Sequence, residues 1–303
     1  MIERLTIKRK GVVSMPEKKN ISMTKKEVLI FVSQLKSVFD IVRLVDVSRN
    51  TQVLITDRGE MKEEAYHCYA IWNKDKRCEN CISAKAFAQK GKATKFEFIG
   101  NDAYYIVSMY VEVDDFPYML EMVSQVNDET LFGAYGKDKF AETITAYNQK
   151  LYIDSMTGVY NRRYYEEQLL GLKNEKAVAM LDVDDFKNIN DTYGHLVGDM
   201  ALQAIADVIL SCVSDTDAVV RYGGDEFLLV FGEISQKVFV EKLEEIRQKV
   251  SAIRLKDYPV LHFSVSIGGE YGIREEEHII QKADDMLYEA KIEKNKVKVD
   301  KCR

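Results

Sequence analysis

Three acidic side chains at the ends of strand-like segments have the chemistry to bind a divalent cation. Asp225 and Glu226 follow the pair Gly223-Gly224, which separates two apolar runs and predicts a hairpin turn. Asp182 ends another apolar run upstream. Carboxylate oxygens are preferred ligands of Mg²⁺, so the two segments together predict a shared metal site. Taken alone, a Gly-Gly-Asp hairpin is most often only a turn.

The residues after Asp182 predict a phosphate site next to this metal. The segment Val183-Asp184-Asp185-Phe186-Lys187 leads from the strand into a helical pattern. Backbone N–H groups point outward where such a strand gives way to a helix, and phosphates bind readily there. Gly194-His195 and Gly198-Asp199 follow. With these motifs in this order, the chain from Asp154 to Lys296 resembles the GGDEF family of diguanylate cyclases.

The resemblance implies an enzyme that condenses two GTP molecules to cyclic di-GMP and two pyrophosphates. It implies a magnesium or manganese ion held by Asp182, Asp225 and the main-chain carbonyl of Val183. Asp182, Asp225 and Glu226 are then the catalytic residues, with Glu226 either a further ligand or the group that eases deprotonation of the attacking hydroxyl. The implied substrate-binding residues are Phe186, Lys187, Asn190, Asp199, Gly223, Gly224 and Lys291.

Base choice is expected to rest on Asn190 and Asp199, which match the guanine contacts of the family. Guanine presents two adjacent N–H donors on one edge, and a carboxylate accepts both, which adenine cannot offer. An aspartate at position 199 also favours cyclic di-GMP over a mixed cyclic dinucleotide.

Two departures from the family pattern affect ligand binding. Ser214 stands where many relatives have an arginine that helps to bind product as a brake, so that site is expected to be weak or absent. Near the end of the chain, Lys291 matches a lysine of the family pattern. The position of a second cation, which is an arginine in relatives, aligns with Asn295 in this chain. It falls on Lys294 if one residue is deleted, and the sequence leaves the two alignments open.

Length and composition indicate a two-domain globular protein. The chain has 303 residues, of which 46% are hydrophobic and 30% charged. The formal net charge of −6 argues against nucleic acid as a partner. No apolar run approaches the ~20 residues of a membrane helix, and the basic start lacks the apolar core of an export signal. A cytoplasmic protein is therefore expected.

The order of patterns predicts a mixed α/β (α+β) protein in four segments. Residues 1–21 are a flexible leader, 22–133 a sheet domain, 134–153 a helical linker, and 154–303 the GGDEF domain with a palm-like, ferredoxin-type central sheet. In the second segment, a helix from Thr24 to Phe39 precedes two strands, small helices and three strands. This order resembles a PAS domain, which implies a sensor for a small-molecule or redox signal.

Four residues of the sensor segment could bind a metal. His67 and Cys68 are followed by the pair Cys78 and Cys81, and a C-x-x-C pair commonly supplies two thiolates. Zinc or another metal is one interpretation, redox sensing is another, and structural thiols are the default.

The linker carries apolar residues at Phe140, Ile144, Tyr147 and Leu151, which are spaced as in a heptad repeat. Two heptads fit either a single amphipathic helix lying on its own domain or a parallel dimer stalk. We favour the stalk, because a cyclase must bring two GTP-bound subunits together.

Two other functions fit parts of the pattern. The first is a non-catalytic GTP-binding receptor with a degenerate active site, but Asp182, Asp225 and Glu226 are all present. The second is polymerase-like or adenylyl cyclase-like chemistry, which shares the metal ligands but not the guanine-binding pair.

Overall fold

A computed structural model describes residues 21–56, 60–75, 77–78, 80–128, 130, 132, 136–169, 176–214, 216–272 and 279–301. The chain divides into two compact units, Met1–Asp128 and Glu129–Arg303. The predicted leader lies outside the described residues except for Ile21. Mixed helices and sheets confirm the predicted α/β class.

The N-terminal unit is built on one sheet in the order β1-β6-β7-β2-β3-β4, with β5 pairing to β6. Its elements are β1 (Ile21–Met23), α1 (Lys25–Leu35), β2 (Ile41–Asp46), β3 (Thr51–Ile55), β4 (Met61–His67), α2 (Ile82–Ala88), β5 (Lys92–Ile99), β6 (Asp102–Val113) and β7 (Phe116–Gln125). The helix predicted from Thr24 is α1. The Thr24 hydroxyl accepts a hydrogen bond from the Glu27 amide, and the Glu27 carboxylate accepts one from the Thr24 amide, as in a capping box.

The five predicted strands of this unit are present as β2, β3, β5, β6 and β7. Strand β4 was not predicted, because its sequence Met-Lys-Glu-Glu-Ala-Tyr-His is polar and lacks an alternating pattern. It pairs with β3 at the end of the sheet, where a strand needs little apolar surface. The PAS-like interpretation of this unit stays a prediction.

The C-terminal unit contains a six-stranded sheet in the order β13-β12-β9-β11-β10-β8. The strands are β8 (Tyr160–Asn161), β9 (Ala177–Val183), β10 (Ala218–Arg221), β11 (Glu226–Phe231), β12 (Val265–Tyr271) and β13 (Val297–Lys301). The helices are α3 (Gly136–Tyr152), α4 (Arg162–Tyr164), α5 (Phe186–Tyr193), α6 (His195–Cys212), α7 (Gln236–Ser251) and α8 (Ile279–Glu293). From β9 to β12, the elements run strand, helix, helix, strand, strand, helix and strand, which is the order that the sequence patterns predict.

Both faces of the sheet are covered, which explains why β9 is apolar at every position but one. Leu181 packs in a cluster with residues of α6 and α7, including Ile205 and Leu243. Met180, on the opposite face, packs with Leu287 of α8. A strand buried on both sides reads as a continuous apolar run. The acidic end of β9 is therefore fixed by packing on two sides.

Helix α6 is the one helix among the described residues that is long and apolar enough to span a membrane. It passes that test because it is a core helix. Eight of its residues are buried, including Cys212.

Gly268 allows α8 to lie directly on β12. A Cβ at this position would collide with the backbone of α8 at Ala283 and Leu287. Backbone atoms cannot rotate away as a side chain can, so the helix would have to move. The position of α8 matters because this helix carries Lys291.

Replacing Gly268 with alanine is therefore expected to destabilise the C-terminal unit by about 1–3 kcal/mol, the usual range for overpacking. Thermal unfolding followed by circular dichroism would measure the change. Gly224→Ala is the matched control, because a Cβ there meets no atom within 4 Å. Equal unfolding temperatures for both variants would contradict the tight contact.

Candidate active site

The register between β9 and β11 brings the two acidic segments together. The strands are antiparallel, and Asp182 is the direct partner of Glu226. The pairing continues one step further, since the Val183 amide donates to the Asp225 carbonyl at 3.2 Å. The sheet therefore places the strand end and the hairpin side by side, as the sequence predicted.

The hairpin differs in detail from the tight turn that was expected. Its last paired residues are Arg221 and Phe227, and the amides of Tyr222 and Gly223 both donate to the Glu226 carbonyl. Neither Gly223 nor Gly224 has a positive φ, so left-handed backbone is not the reason for the glycines. Gly223 provides space instead, because a Cβ there would collide with the Glu226 carboxylate.

Arg221 braces the hairpin and was missed as a site residue. Its guanidinium donates to the Gly224 carbonyl at 2.7 Å and to Asp154 Oδ1 at 3.1 Å. Asp154 also accepts from the amide and hydroxyl of Thr157. Arg221 thus links the tip of the hairpin to the first turn of the domain. Its place before the glycines was the only signal in the sequence.

Asp182 lies in an unusual electrostatic environment. Burial raises the pKa of its carboxyl to about 6, and the negative charges of Asp225 and Glu226 add to this shift, while Lys291 opposes it. The Lys291 ammonium lies 2.8 Å from Asp182 Oδ2. Three crowded carboxylates with a single ammonium beside them provide a setting in which a divalent cation would be stabilised.

Asp184 has a structural role. It is buried, and its carboxylate accepts hydrogen bonds from Ser264 at 2.6 Å, Ser266 at 2.7 Å and the Asn295 amide at 2.9 Å. Asp184 thus holds the turn between β9 and α5 against the start of β12 and the segment after α8.

The predicted guanine-binding residues are brought together by a sharp turn between α5 and α6. Gly194 makes this turn with a φ of 85°. Asn190 then lies against Gly198, and a Cβ at position 198 would collide with the side-chain amide of Asn190. Asp199 is the next residue, and both Asn190 and Asp199 are half-buried.

The predicted phosphate-binding residues flank the same turn. Lys187 is exposed in the first turn of α5, and Phe186 is partly buried against the core. The roles assigned to these residues stay predictions.

Asn161 fastens the start of the domain to α3. The Asn161 amide group donates to the Leu151 carbonyl at 3.0 Å, and its oxygen accepts from the Tyr164 amide. Asn161 therefore ties the end of α3 to the domain. Arg162 does not share this role, because its guanidinium pairs with Glu166 at 2.8 Å and lies over the ring of Tyr222.

Asp182, Asp225 and Glu226 fit a hard cation by their donor chemistry and by their crowded charges. Among the described residues, no group of three or more His, Cys, Asp or Glu side chains stands in metal-ligand geometry. At the acidic edge, Lys291 pairs with one oxygen of Asp182. A bound cation would therefore have to displace this ammonium or share the carboxylate with it.

The four predicted sensor ligands are not assembled as a set. Cys68, Cys78 and Cys81 line one cavity of about 20 Å³, but the His67 ring stacks on Tyr69 and does not line it. No metal-binding group of three or more ligand side chains is found there among the described residues. Burial raises the pKa of Cys68 to about 12 and also raises that of Cys78, which keeps both thiols neutral.

The cavity wall also contains a buried ion pair. Arg43 and Glu121 are 2.6 Å apart, and their side chains are 3% and 8% exposed. Arg43 also donates to the Cys68 carbonyl at 2.9 Å. The cavity has room for a water-sized occupant.

The C-terminal unit thus belongs to the class of α/β domains with a carboxylate-rich strand end beside an acidic hairpin. Residues 151–296 match the family described as "Diguanylate cyclase, GGDEF domain". This unit is a GGDEF domain, and the expected family is confirmed.

Known proteins with similar sequences agree with this assignment. The chain is 33% identical over 177 residues to the diguanylate cyclase VdcA of Vibrio cholerae, covering 55% of this chain and 51% of that protein. It is 36% identical over 123 residues to diguanylate cyclase A of Treponema denticola, covering 39% of this chain and 33% of the relative. The chain thus spans at most about half the length of these relatives.

A solved structure is similar over the same half. It contains the coiled coil and GGDEF domain of DgcB from Caulobacter crescentus in complex with c-di-GMP. The TM-score is 0.50 at 26% identity, with 54% of this chain and 93% of that chain covered.

Replacing Asp182 with asparagine is expected to change how stability depends on pH. The folded pKa of about 6 lies above the value of about 4 for an unfolded aspartate. The carboxyl therefore contributes stability that is fully present below about pH 4 and is lost as the pH rises through about 6. The stability of the variant relative to wild type, measured in EDTA, should therefore increase when the pH is raised from about 5 to about 7.5.

Thermal unfolding at both pH values would measure this gain, with Asp207→Asn on the exposed side of α6 as the control. Added Mg²⁺ should then stabilise wild type more than the Asp182 variant. Parallel pH profiles for wild type and Asp182→Asn would contradict the raised pKa.

Proposed function

We propose that this protein is a diguanylate cyclase that converts two GTP molecules to cyclic di-GMP and two pyrophosphates. The observation that carries the proposal is the register of β9 and β11, which pairs Asp182 with Glu226 beside Asp225. Membership of residues 151–296 in the GGDEF family supports it.

In the reaction, the 3′-oxygen of one GTP forms a bond to the α-phosphorus of the other, and the bond from that phosphorus to pyrophosphate breaks. The 3′-oxygen of the second nucleotide then forms a bond to the α-phosphorus of the first, a second pyrophosphate leaves, and the ring closes. Asp182, Asp225 and the Val183 carbonyl would hold Mg²⁺ or Mn²⁺, which when bound neutralises phosphate charge and favours ionisation of the hydroxyl. Glu226 would add a ligand or receive the hydroxyl proton.

The remaining site residues would bind and orient the nucleotide. The amides from Asp184 to Lys187 and the Lys187 ammonium would bind phosphate oxygens. When nucleotide binds, the Lys291 ammonium would leave Asp182 and pair with a phosphate group instead. Asn190 and Asp199 would read the guanine edge, and the space at Gly223 lets Glu226 lie over the hairpin.

A cyclase of this kind needs two subunits, because each domain presents one GTP to the other. The heptad-spaced apolar residues of α3 form a seam that supports a homodimer. They are Phe140, Ile144, Tyr147 and Leu151. Phe140 and Ile144 are half-buried, and Tyr147 is 62% exposed. Apolar side chains at heptad spacing on an exposed helix suit a parallel stalk in which each seam covers the other.

The N-terminal unit would act as the sensor. Its element order supports a PAS-like module, and its cavity lined by Cys68, Cys78 and Cys81 is a place for a small-molecule or redox cue. Cys68 and Cys78 are free thiols, as is usual where thiols stay reduced. This supports the cytoplasm as the location of the protein.

The competing function is a GTP-binding receptor without catalysis. It would keep the guanine-binding and phosphate-binding residues and lose the carboxylate pairing. The presence of Asp182, Asp225 and Glu226 at one edge favours the enzyme.

Purified protein with Mg²⁺ and GTP is expected to form cyclic di-GMP and pyrophosphate. Asp225→Ala should lower the rate by roughly 100-fold or more, because a ligand for the charge-neutralising ion is lost. Product chromatography would measure both, with Asp207→Ala as the surface control. A dimeric wild-type sample that binds GTP without forming product would establish the receptor instead.

Ile144→Asp is expected to abolish the dimer and, with it, cyclic di-GMP synthesis, because it places a charge in the apolar seam. Light scattering and product analysis of the same samples would test this. Thr145→Asp adds the same charge to the same helix outside the seam and should leave both properties unchanged. If Ile144→Asp stays dimeric, α3 does not form the dimer interface.

A further inference from the structure

The contacts of the segment after α8 distinguish Lys294 from Asn295 as the residue that could replace the second phosphate-binding cation. Asn295 is committed to the scaffold. Its amide N–H donates to Asp184 Oδ2 at 2.9 Å, and its side-chain oxygen accepts from Arg247 at 2.8 Å and from Ser251 at 3.1 Å. Asn295 therefore has no charge to offer and no freedom to approach a nucleotide.

Lys294, one residue earlier, reaches the turn between β9 and α5. Its ammonium lies 2.7 Å and 2.8 Å from the two carboxylate oxygens of Asp185. Asp185 is the residue before α5, and its side chain makes no capping hydrogen bond to that helix. The ammonium thus lies at the turn where the phosphates are expected.

The backbone holds Lys294 in this place at an energetic cost. Lys294 and Asn295 have φ values of 54° and 50°, a left-handed conformation that residues with a Cβ rarely adopt. A left-handed residue directly after a helix is a common way to end it, and the Lys294 amide here donates to the Ala290 carbonyl at 3.0 Å. The hydrogen bonds of Asn295 fix the segment that follows, so Lys294 stays beside the turn.

We propose that Lys294 is a triphosphate-binding residue of this site and that Asp185 is its partner until nucleotide arrives. The proposal deepens the proposed function and rests on it. Lys294 would take over the role of the arginine that relatives carry at the end of this segment. Lys291 and Lys294 would then act in parallel, each leaving a carboxylate, Asp182 or Asp185, for a phosphate oxygen.

The exchange is favourable because the resting pair is weak. The side chains of Lys294 and Asp185 are 53% and 58% exposed, so water screens their attraction. A triphosphate carries several negative charges and presents more oxygens than one carboxylate. It follows that Asp185 competes with the nucleotide for Lys294.

This competition predicts changes of opposite sign for the two partners. Lys294→Gln should weaken binding of a GTP analogue with a methylene group between the α- and β-phosphorus atoms by about tenfold, the effect of one charge-assisted hydrogen bond. Lys294→Arg should restore it to within about threefold. Asp185→Asn should strengthen binding by about threefold, because it frees the ammonium. Calorimetry of the dimeric protein with Mg²⁺ would measure all three.

Lys298→Gln is the matched control, because Lys298 pairs with exposed Glu293 at 2.9 Å in the same terminal segment. It should bind the analogue like wild type. Thermal unfolding of each variant would show that the fold is kept.

The results separate this proposal from the cyclase itself, because binding of the analogue needs no turnover. Wild-type affinity in Lys294→Gln would overturn the role of Lys294 even in an active cyclase. Weaker binding in both Lys294→Gln and Asp185→Asn would also overturn it, because that pattern marks a structural ion pair. A wild-type protein that binds with the predicted pattern but makes no product would overturn the cyclase alone. Absence of any binding by wild type would overturn both.

Discussion

The pairing of β9 with β11 is the constraint on which the rest of the C-terminal unit depends. Side chains alternate along a strand, so a slip of one residue would send Asp182 and Glu226 to opposite faces of the sheet. The slip is prevented by burial on both sides, since Leu181 and Met180 each fill a different core. The apolar clusters thus determine where the carboxylates lie, although they are not part of the chemistry.

The same pairing creates an electrostatic problem that the surrounding residues relieve. Asp182 is buried near two other carboxylates, and each negative charge makes the next less favourable. Lys291 compensates part of this charge from α8, and the close contact at Gly268 keeps that helix in place. Arg221 fixes the position of the neighbouring acidic hairpin by holding its tip to Asp154. The site is therefore a balance of charges maintained by packing.

Much of this arrangement could be predicted from sequence, because local patterns specify it. Apolar runs identified β9 and β11, and the helical pattern after the acidic end of β9 identified α5. What was missed depends on contacts between distant segments. The polar edge strand β4 has no alternation to reveal it, and the brace from Arg221 to Asp154 joins residues far apart in the chain.

The end of the chain shows the same limit at a single residue. Alignment by motif left Lys294 and Asn295 as equal candidates for one position. The structure distinguishes them because Asn295 bonds to Arg247 and Ser251, both on α7. The sequence gives no indication that these segments meet. In the N-terminal unit, likewise, the spacing of His67 from the cysteines could not show that its ring stacks on Tyr69.

The fastening of α3 to its domain has a mechanical consequence. Asn161 holds the Leu151 carbonyl, and the Tyr152 hydroxyl donates to Glu167 at 2.8 Å and accepts from Gln168 at 3.1 Å. A helix clamped in this way has no hinge where it joins the domain, so a rotation of α3 would be passed to the sheet of the C-terminal unit. With about 3.6 residues per turn, each residue inserted into α3 would rotate one end against the other by about 100°. The length of α3 would therefore set the rotational phase between its first turn and the sheet to which its last turn is fixed.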